Sequence, residues 1–465
     1  MIPERFLAFD LGAESGRAVV GTLCDGALTT EEIHRFPNRP VRVLGTLYWD
    51  ALALYGNLVE GMRIYGRQYG RNVASIGIDT WGVDFGLLAR DGSLLQNPVC
   101  YRDRRTEGIL AEVEQRMRAL DLFRTTGMAL SAIQSLCQLA AMRRAESPAL
   151  EEAATFLMMP DLFGYFLTGV KACERTNAVN TQLYDIERGS WAEEVLRAFD
   201  LRRAMLPELR DPGTVLGELL PSVAVEAGLE ACPVVSVCTH DTGSAVAAVP
   251  GDGQNRAFLS SGAWSVVGAR TDQVVTTEAA FRQGFCNELT LGGTFLCKNI
   301  MGMWLLEEAR REWAAGGVDW PYEQLLEAAE RVPEGGPVID PEDGGFLSPA
   351  SMTGAIEEYC RRTGQRAPRG PAETARAIFE SLAGCYGRAL KNLEAVLGRR
   401  FAALDVVGGG SRNALLCQLT ADATGIPVLA GPAEATATGN LLAQAAALGH
   451  TARQAAVRTE YQPRI

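Results

Sequence analysis

Two carboxylates end runs of apolar residues: Asp10 closes Phe6-Leu7-Ala8-Phe9, and Asp79 closes Val73 to Ile78. A carboxylate at the end of a buried strand is costly unless something positive meets it. Beside Asp10, the turn Gly12-Ala13-Glu14-Ser15-Gly16-Arg17 offers backbone N–H groups, a hydroxyl and a guanidinium. Such a turn can cradle phosphate, with Asp10 facing a hydrated divalent cation. Asp10 is therefore the metal-side candidate, ahead of Asp79. The same residues also spell an ordinary hairpin, and read alone they leave both possibilities open. A third acid, Asp241, follows the β-rich run Pro233 to Cys238 and precedes small residues. There it can take the proton from an attacking hydroxyl. Aspartate before a helix is also a common N-cap, which residue type alone favours. His240 beside it reads as a hydrogen-bond donor to a hydroxyl rather than as the base.

The elements that must position these residues alternate between strand and helix, the signature of an α/β protein. Phe6 to Asp10 and Arg17 to Leu23 read as a strand and its return across the small-residue turn. Leu28 to Phe36 reads as a third strand, 50–69 as a helix and Val73 to Asp79 as another buried strand. Residues 104–166 read as mostly helical, broken near Gly127 and Pro160. Leu404 to Val407 is a strand, then Gly408-Gly409-Gly410 turns into a helix running through Thr424. A glycine turn at a helix start lets a nucleotide approach the backbone closely. Neither GxGxxG nor GxxxxGK[ST] occurs, so a nucleotide would be held by another fold. Ile426 to Leu429 is a further strand, and an Ala-rich helix closes the chain.

At 465 residues the chain is long for one core, so two domains are expected. Pro250-Gly251-Asp252-Gly253 is the clearest linker, giving domains 1–248 and 249–465. Arg256 to Gly262 followed by Trp264 to Gly268 repeats the pattern of Arg5 to Gly12 and Arg17 to Gly21. Two such hairpins could grip phosphates from both sides of a cleft; two unrelated hairpins would look alike at this level. The net charge of −12 argues against nucleic acid and anionic membrane as partners. Eleven cysteines lie without CxxC spacing, and histidine occurs only at 34, 240 and 450. That excludes a readable zinc cluster or disulfide framework and fits a reducing cytoplasm. Met1 to Arg5 lead straight into the first strand, without a signal-peptide pattern, and no apolar run is long enough to span a bilayer.

The segments FDLGAESGR (9–17), SIGIDTWGVDF (75–85), YRDRRT (101–106), HDTGSAV (240–246), LSSGAWS (259–265), KNIMGMWLL (298–306), VGGGSRN (407–413) and ATGN (437–440) occur in this order. Together they resemble the FGGY family of carbohydrate kinases, and within it the branch acting on L-rhamnulose. The resemblance implies an actin-like, ribonuclease H-like two-domain fold with a cleft between the domains. It implies ATP- and Mg²⁺-dependent phosphorylation of a ketose, here L-rhamnulose at its 1-hydroxyl, a step of rhamnose breakdown. It also implies site residues. Ala13, Glu14, Ser15, Gly16 and Arg17 meet the nucleotide phosphates, with Ala263, Glu307 and Gly409 also on the nucleotide. Gly82, His240, Asp241, Thr242 and Asn299 line the sugar site, and Asp241 is the catalytic base. Two departures stand out. Ala263 replaces a usual Thr, and Glu307 a usual Gln; both bear on rate more than on fold. The alternatives are another ketose, such as fuculose or xylulose, and an ATP-binding regulator without turnover. Lys298 reads either as a functional neighbour of Asn299 or as a solvated charge. Trp81 and Trp264 read as core residues before cleft walls. The sequence leaves the oligomeric state open.

Overall fold

The computed structural model describes residues 3–249, 255–454 and 458–464. The linker expected at 250–253 lies outside these residues. The chain forms two compact units, neither continuous in sequence. The first gathers Met1–Pro250, Thr271–Leu296 and Ala435–Ala455; the second gathers Gly251–Arg270, Cys297–Glu434 and Ala456–Ile465.

In the first unit, β1 (Glu4–Leu11), β2 (Ser15–Cys24) and β3 (Ala27–Pro37) form an antiparallel meander. Helix α1 (Ala51–Tyr69) follows, and β4 (Ser75–Thr80) returns parallel to β1. Beyond β4 lie β6 (Pro233–Ser236), parallel to it, and β5 (Thr214–Glu218), antiparallel to β6. Helix α2 (Asp241–Ala248) starts a few residues after β6. The second unit opens with the hairpin β7 (Arg256–Ser261) and β8 (Trp264–Thr271). The strand β9 (Cys286–Thr290) is part of the first unit. Then come β10 (Gly293–Met301), α3 (Trp304–Ala315), the long helix α4 (Gly370–Leu397), β11 (Ala403–Val407), α5 (Ala414–Thr424) and β12 (Val428–Ala430). The closing helix α6 (Ala435–Ala447) and β13 (Arg453–Gln454) belong to the first unit, and β14 (Thr459–Tyr461) to the second. The first sheet runs β5-β6-β4-β1-β2-β3-β13, and the second unit's strands run β10-β8-β7-β11-β12-β14.

Period-2 alternation explains how the first sheet is covered. Leu7, Phe9 and Leu11 of β1 join Leu54, Leu58 and Met62 of α1 in one core. Phe6 and Ala8 point the other way and join Ala437, Leu441 and Ala445 of α6. Asp10 continues the Phe6/Ala8 series, so it lies on the α6 face. On β4, Ser75 and Asp79 share that face, and Ile76 and Ile78 pack on the α1 side.

The helix expected at 50–69 is present, capped by Asp50, whose carboxylate accepts from Ala53 N at 3.0 Å. Residues 104–166 are less uniform than expected, because a strand at Thr155–Met158 interrupts the helices. Pro160 does not break a helix there; it sits in the first turn of Met159–Thr168, where its missing N–H costs nothing. Among the described residues, no helix is long and apolar enough to cross a membrane.

Candidate active site

The turn after β1 is closed by Gly12 N donating to Ser15 O at 2.9 Å. Asn38 clamps it from β3, its side-chain amide donating to Gly12 O at 2.8 Å and its backbone N to Glu14 O at 2.9 Å. Ala13, Glu14 and Ser15 are half-buried, whereas Gly16 is buried and a Cβ there would collide with the Phe36 ring. Arg17 folds back onto Asp10, its Nε and Nη2 donating to Oδ2 at 2.9 and 2.6 Å. The charge of Asp10 is thus met by an internal guanidinium.

Asp79 is the register neighbour of Asp10 on β4 and is wholly buried. Asn440 of α6 donates to its Oδ2 at 2.6 Å, and its Oδ1 accepts no hydrogen bond from the described residues. The ladder continues along α6. Gln444 donates to Asn440 Oδ1 at 2.7 Å and accepts from Ser75 Oγ at 2.7 Å. Burial, then the nearby Asp10 charge, push the Asp79 carboxyl well above the usual Asp range.

Asp241 is the first residue of α2, and His240 holds the N-cap position without a side-chain cap bond. The capping role that residue type favoured is therefore not the one it plays. Its Oδ1 accepts from Thr242 N at 2.6 Å and Thr242 Oγ1 at 3.3 Å, and lies 3.4 Å from His240 Nε2. Among the described residues, nothing donates to Oδ2. The side chain is 33% exposed, which leaves it open to a ligand. Burial of its surroundings, and the charges of Asp10 and Glu288, raise its pKa, and His240 opposes them. That shift brings a carboxylate nearer the pH at which a base works best.

His240 is backed by a residue the sequence reading missed. Glu288 of β9, wholly buried, places Oε2 2.9 Å from His240 Nδ1. Gly82 faces the other ring nitrogen, since a Cβ there would stand 3.3 Å from Nε2. The loop carrying Gly82 is rigid. Val83 adopts φ +67°, an outlier for a β-branched residue, and its carbonyl accepts from Ser135 Oγ at 2.6 Å and Gln138 Nε2 at 3.1 Å. The buried Asp84 carboxylate gathers Trp49 Nε1, Trp81 Nε1, Gln138 Nε2 and Tyr101 N at 2.6, 3.0, 2.9 and 3.2 Å. Trp81 is thus a core residue, as expected, and it holds the loop through its indole N–H.

Glu174 was also missed. It is buried and accepts from Thr176 N at 2.8 Å, Thr239 N at 2.9 Å and Thr239 Oγ1 at 2.8 Å, fixing the approach to His240. These acids carry no motif of their own. Their positions are set by strand pairing and packing, which composition does not reveal.

In the second unit, the β7–β8 turn holds Gly262 and Ala263. Gly302 N donates to Ala263 O at 3.0 Å and Met303 N to Gly262 O at 2.9 Å, so the KNIMG segment clamps the turn. Asn299 is exposed on β10. Lys298 pairs with Glu342 at 2.9 Å and is neither solvated nor free. Glu307 is half-buried on α3 and is neutralised by Arg310 at 3.0 Å. In the glycine turn after β11, Gly408 takes φ +82°, and a Cβ there would stand 2.8 Å from Ser261 O. Gly410 packs on the Ser261 side chain. Gly409 between them faces open space, with nothing within 4 Å of a built Cβ. Asn413 then caps α5 by accepting from Leu416 N at 2.9 Å.

Known proteins resemble this chain along almost its whole length. Residues 5–248 match the model of the N-terminal domain of the FGGY family of carbohydrate kinases, and 257–448 match that of its C-terminal domain. A rhamnulokinase of Bacteroides thetaiotaomicron is 44% identical over 98% of this chain and 93% of its own length. One of Enterococcus faecalis is 38% identical over 98% of this chain and 91% of its own. The fold is that of a xylulose kinase of Lactobacillus acidophilus, with TM-score 0.81 at 16% identity over 99% of this chain and 94% of that one. It is also that of a Plasmodium falciparum glycerol kinase with ADP, with TM-score 0.74 at 16% identity over 96% and 90%. With both domain models matched and relatives of this identity along almost its whole length, the chain belongs to the FGGY family of carbohydrate kinases.

Proposed function

We propose that this kinase transfers the γ-phosphoryl group of ATP to the 1-hydroxyl of L-rhamnulose. One observation carries the chemistry: Asp241 presents a partly open carboxylate whose Oδ2 accepts no hydrogen bond among the described residues. Phosphoryl transfer has a loose transition state, so placement and charge compensation contribute most of the rate, and the acceptor hydroxyl needs somewhere to leave its proton. Asp241 Oδ2 takes that proton. Gly82, His240 and Thr242 of the first unit bind the ketose. The choice of L-rhamnulose rests on the relatives named rhamnulokinase.

The residues present fit a nucleotide and a divalent cation. Gly409 leaves room for adenosine, and Arg310 removes the repulsion Glu307 would otherwise exert on phosphate. Ala13 to Arg17 lie on the β1–β2 turn and serve the phosphates. Asp10 stands beside the buried Asp79, whose Oδ1 accepts no hydrogen bond from the described residues, and these two carboxylates share one guanidinium, an oxygen-rich setting that suits a hard cation. A bound Mg²⁺ supplies charge neutralisation on the phosphate oxygens, and Asp10 is the residue that faces it. All eleven cysteines are unpaired, which supports a reducing, cytoplasmic setting.

The test is ADP release by purified protein with Mg-ATP and L-rhamnulose, L-fuculose or D-xylulose. L-rhamnulose gives the highest kcat/KM. A higher value with another ketose overturns the substrate, and no release with any of them overturns the reading.

A further inference from the structure

His240 sits between two carboxylates. Its Nδ1 is 2.9 Å from Glu288 Oε2, and its Nε2 is 3.4 Å from Asp241 Oδ1. Glu288 is wholly buried on a strand, where an ionised carboxylate without a partner is strongly unfavourable. A neutral imidazole has one N–H. If Nδ1 uses it toward Glu288, Nε2 carries a lone pair and meets Asp241 acceptor to acceptor. A protonated ring donates at both ends and satisfies both contacts. Nε2 is also the nitrogen nearest Gly82, at 3.3 Å from a Cβ built there.

We infer that Glu288 is a positioning residue, which pairs with Nδ1 and so holds His240 as a cation that donates from Nε2 toward the sugar-binding face at Gly82. This rests on the reading of the site as a sugar kinase. The surroundings of the ring support it. Burial alone works against charge on His240. The charge and hydrogen bond of Glu288 outweigh it, Asp241 of α2 and Glu174 of the strand Ala172–Glu174 add to them, and the ring's pKa is pushed up to about 9. The amide nitrogen of Asn180, a donor without charge, also lies 3.1 Å from Nδ1. If Nδ1 accepted from it, Nδ1 would meet Glu288 Oε2 acceptor to acceptor, whereas with Nδ1 protonated Asn180 Nδ2 keeps its bond to Thr176 O at 3.2 Å. Two consequences follow at neutral pH. The sugar receives a charged donor, and the imidazolium counters the rise that burial imposes on the Asp241 carboxyl, favouring its proton-accepting form.

Glu288→Gln tests this, because it preserves size and removes the charge. The chain has only three histidines, so the imidazole NMR signals of His34, His240 and His450 are few, and a His240→Gln spectrum assigns the one that matters. In the wild type, His240 stays protonated through neutral pH and titrates near 9. In Glu288→Gln it titrates at or below the ordinary histidine value of about 6.5. The alkaline limb of kcat/KM for the ketose moves to lower pH in step, and at pH 8 KM for the ketose rises about 10-fold, as for loss of one charge-assisted hydrogen bond. KM for ATP stays within about twofold of the wild type, because no part of the nucleotide site is touched. A merely structural role would lower activity without moving the limb. Glu288→Asp, which keeps the charge, restores most of the profile.

A wild-type His240 that is neutral at pH 7, or a folded Glu288→Gln protein with unchanged titration, overturns the inference. If Glu288→Gln does not fold, the wild-type titration alone decides. The ring titration is read without substrate, so absence of turnover with every ketose refutes the function and leaves the test of Glu288 intact.

Discussion

The two units open on the same backbone device and charge it differently. In each, an apolar strand turns through a glycine into an antiparallel partner, and a later strand runs parallel on its other side: β1 with β2 and β4, β7 with β8 and β11. Two residues before the turn glycine stands Asp10 in the first unit and Ser260 in the second. Across the parallel pair Asp10 faces Asp79, whereas Ser260 faces Val407. Across the hairpin Asp10 faces Arg17, and Ser260 faces Val266. The first hairpin thus carries acid against acid with a guanidinium beside them, and the second is neutral. The acids of the second unit near these strands are compensated: Asp405 by Arg256 at 2.7 Å and Arg458 at 2.6 Å, and Glu307 by Arg310. Acids paired with guanidinium groups leave an approaching polyanion unopposed, whereas two carboxylates that share one guanidinium keep oxygens for a cation.

Removing the base should break this division most severely. Asp241→Asn keeps the shape and the hydrogen bond with Thr242 N and removes the proton acceptor. Turnover falls about 10²–10⁴-fold, with ketose and ATP still bound in calorimetry. Near-normal turnover would mean that the acids of the first unit are structural.

The glycine turn sharpens the contrast inside the second unit. Gly408→Ala forces a side chain into a Gly-only region of backbone against Ser261 O, so stability falls by about 1–3 kcal/mol in thermal unfolding. Gly409→Ala meets nothing and leaves unfolding unchanged, yet weakens ADP binding measured by calorimetry. Equal melting temperatures for the two variants would contradict the packing described for Gly408.

Ala263→Thr adds a hydroxyl to the neutral hairpin. If it donates to phosphate in the transition state, kcat rises, up to about 10-fold for ~1.4 kcal/mol realised. Steady-state kinetics at saturating ketose decide it. A folded variant that is slower would show that the turn, clamped by Gly302 and Met303, is built around Ala.

The smallest expected effect concerns Asp79. A carboxyl whose folded pKa is raised binds its proton more tightly in the folded state. It therefore destabilises the fold as pH rises from the ordinary Asp range toward the raised value. Asp79→Asn removes that slope and keeps an acceptor for Asn440. The variant unfolds at the same temperature as the wild type in acid and higher at neutral pH, by on the order of 1 kcal/mol. A lower neutral-pH melting temperature would mean that Asp79 is ionised and needed for the fold.

Much of this was legible from local pattern. Phe6 to Asp10 and Val73 to Asp79 declared themselves as buried strands, and the periodicity of residues 50–69 announced α1. The hairpin repeat was visible, since small residues must recur wherever a turn is tight. Asp241 was named as a candidate base, but residue type favoured a cap; the observed start of α2 at Asp241 itself is a matter of one residue, below the resolution of pattern reading. Glu174 and Glu288 were invisible because an isolated glutamate in a strand carries no signal until its neighbours are known.

The sequence by itself determined the element types, the turn chemistry and the order of the motifs, because these depend on neighbours a few residues away. Tertiary structure alone decided which unit owns which segment. The closing helix α6 could have followed the strands before it; instead Leu441 and Ala445 pack under Phe6 and Ala8, and Asn440 reaches Asp79 across 361 positions of chain. Gly439 permits it, since a side chain there would collide with the Ser244 carbonyl of α2. Burial of an apolar face and satisfaction of a buried carboxylate are long-range demands. They are met by whichever surface arrives, and only the folded chain shows that α6 does.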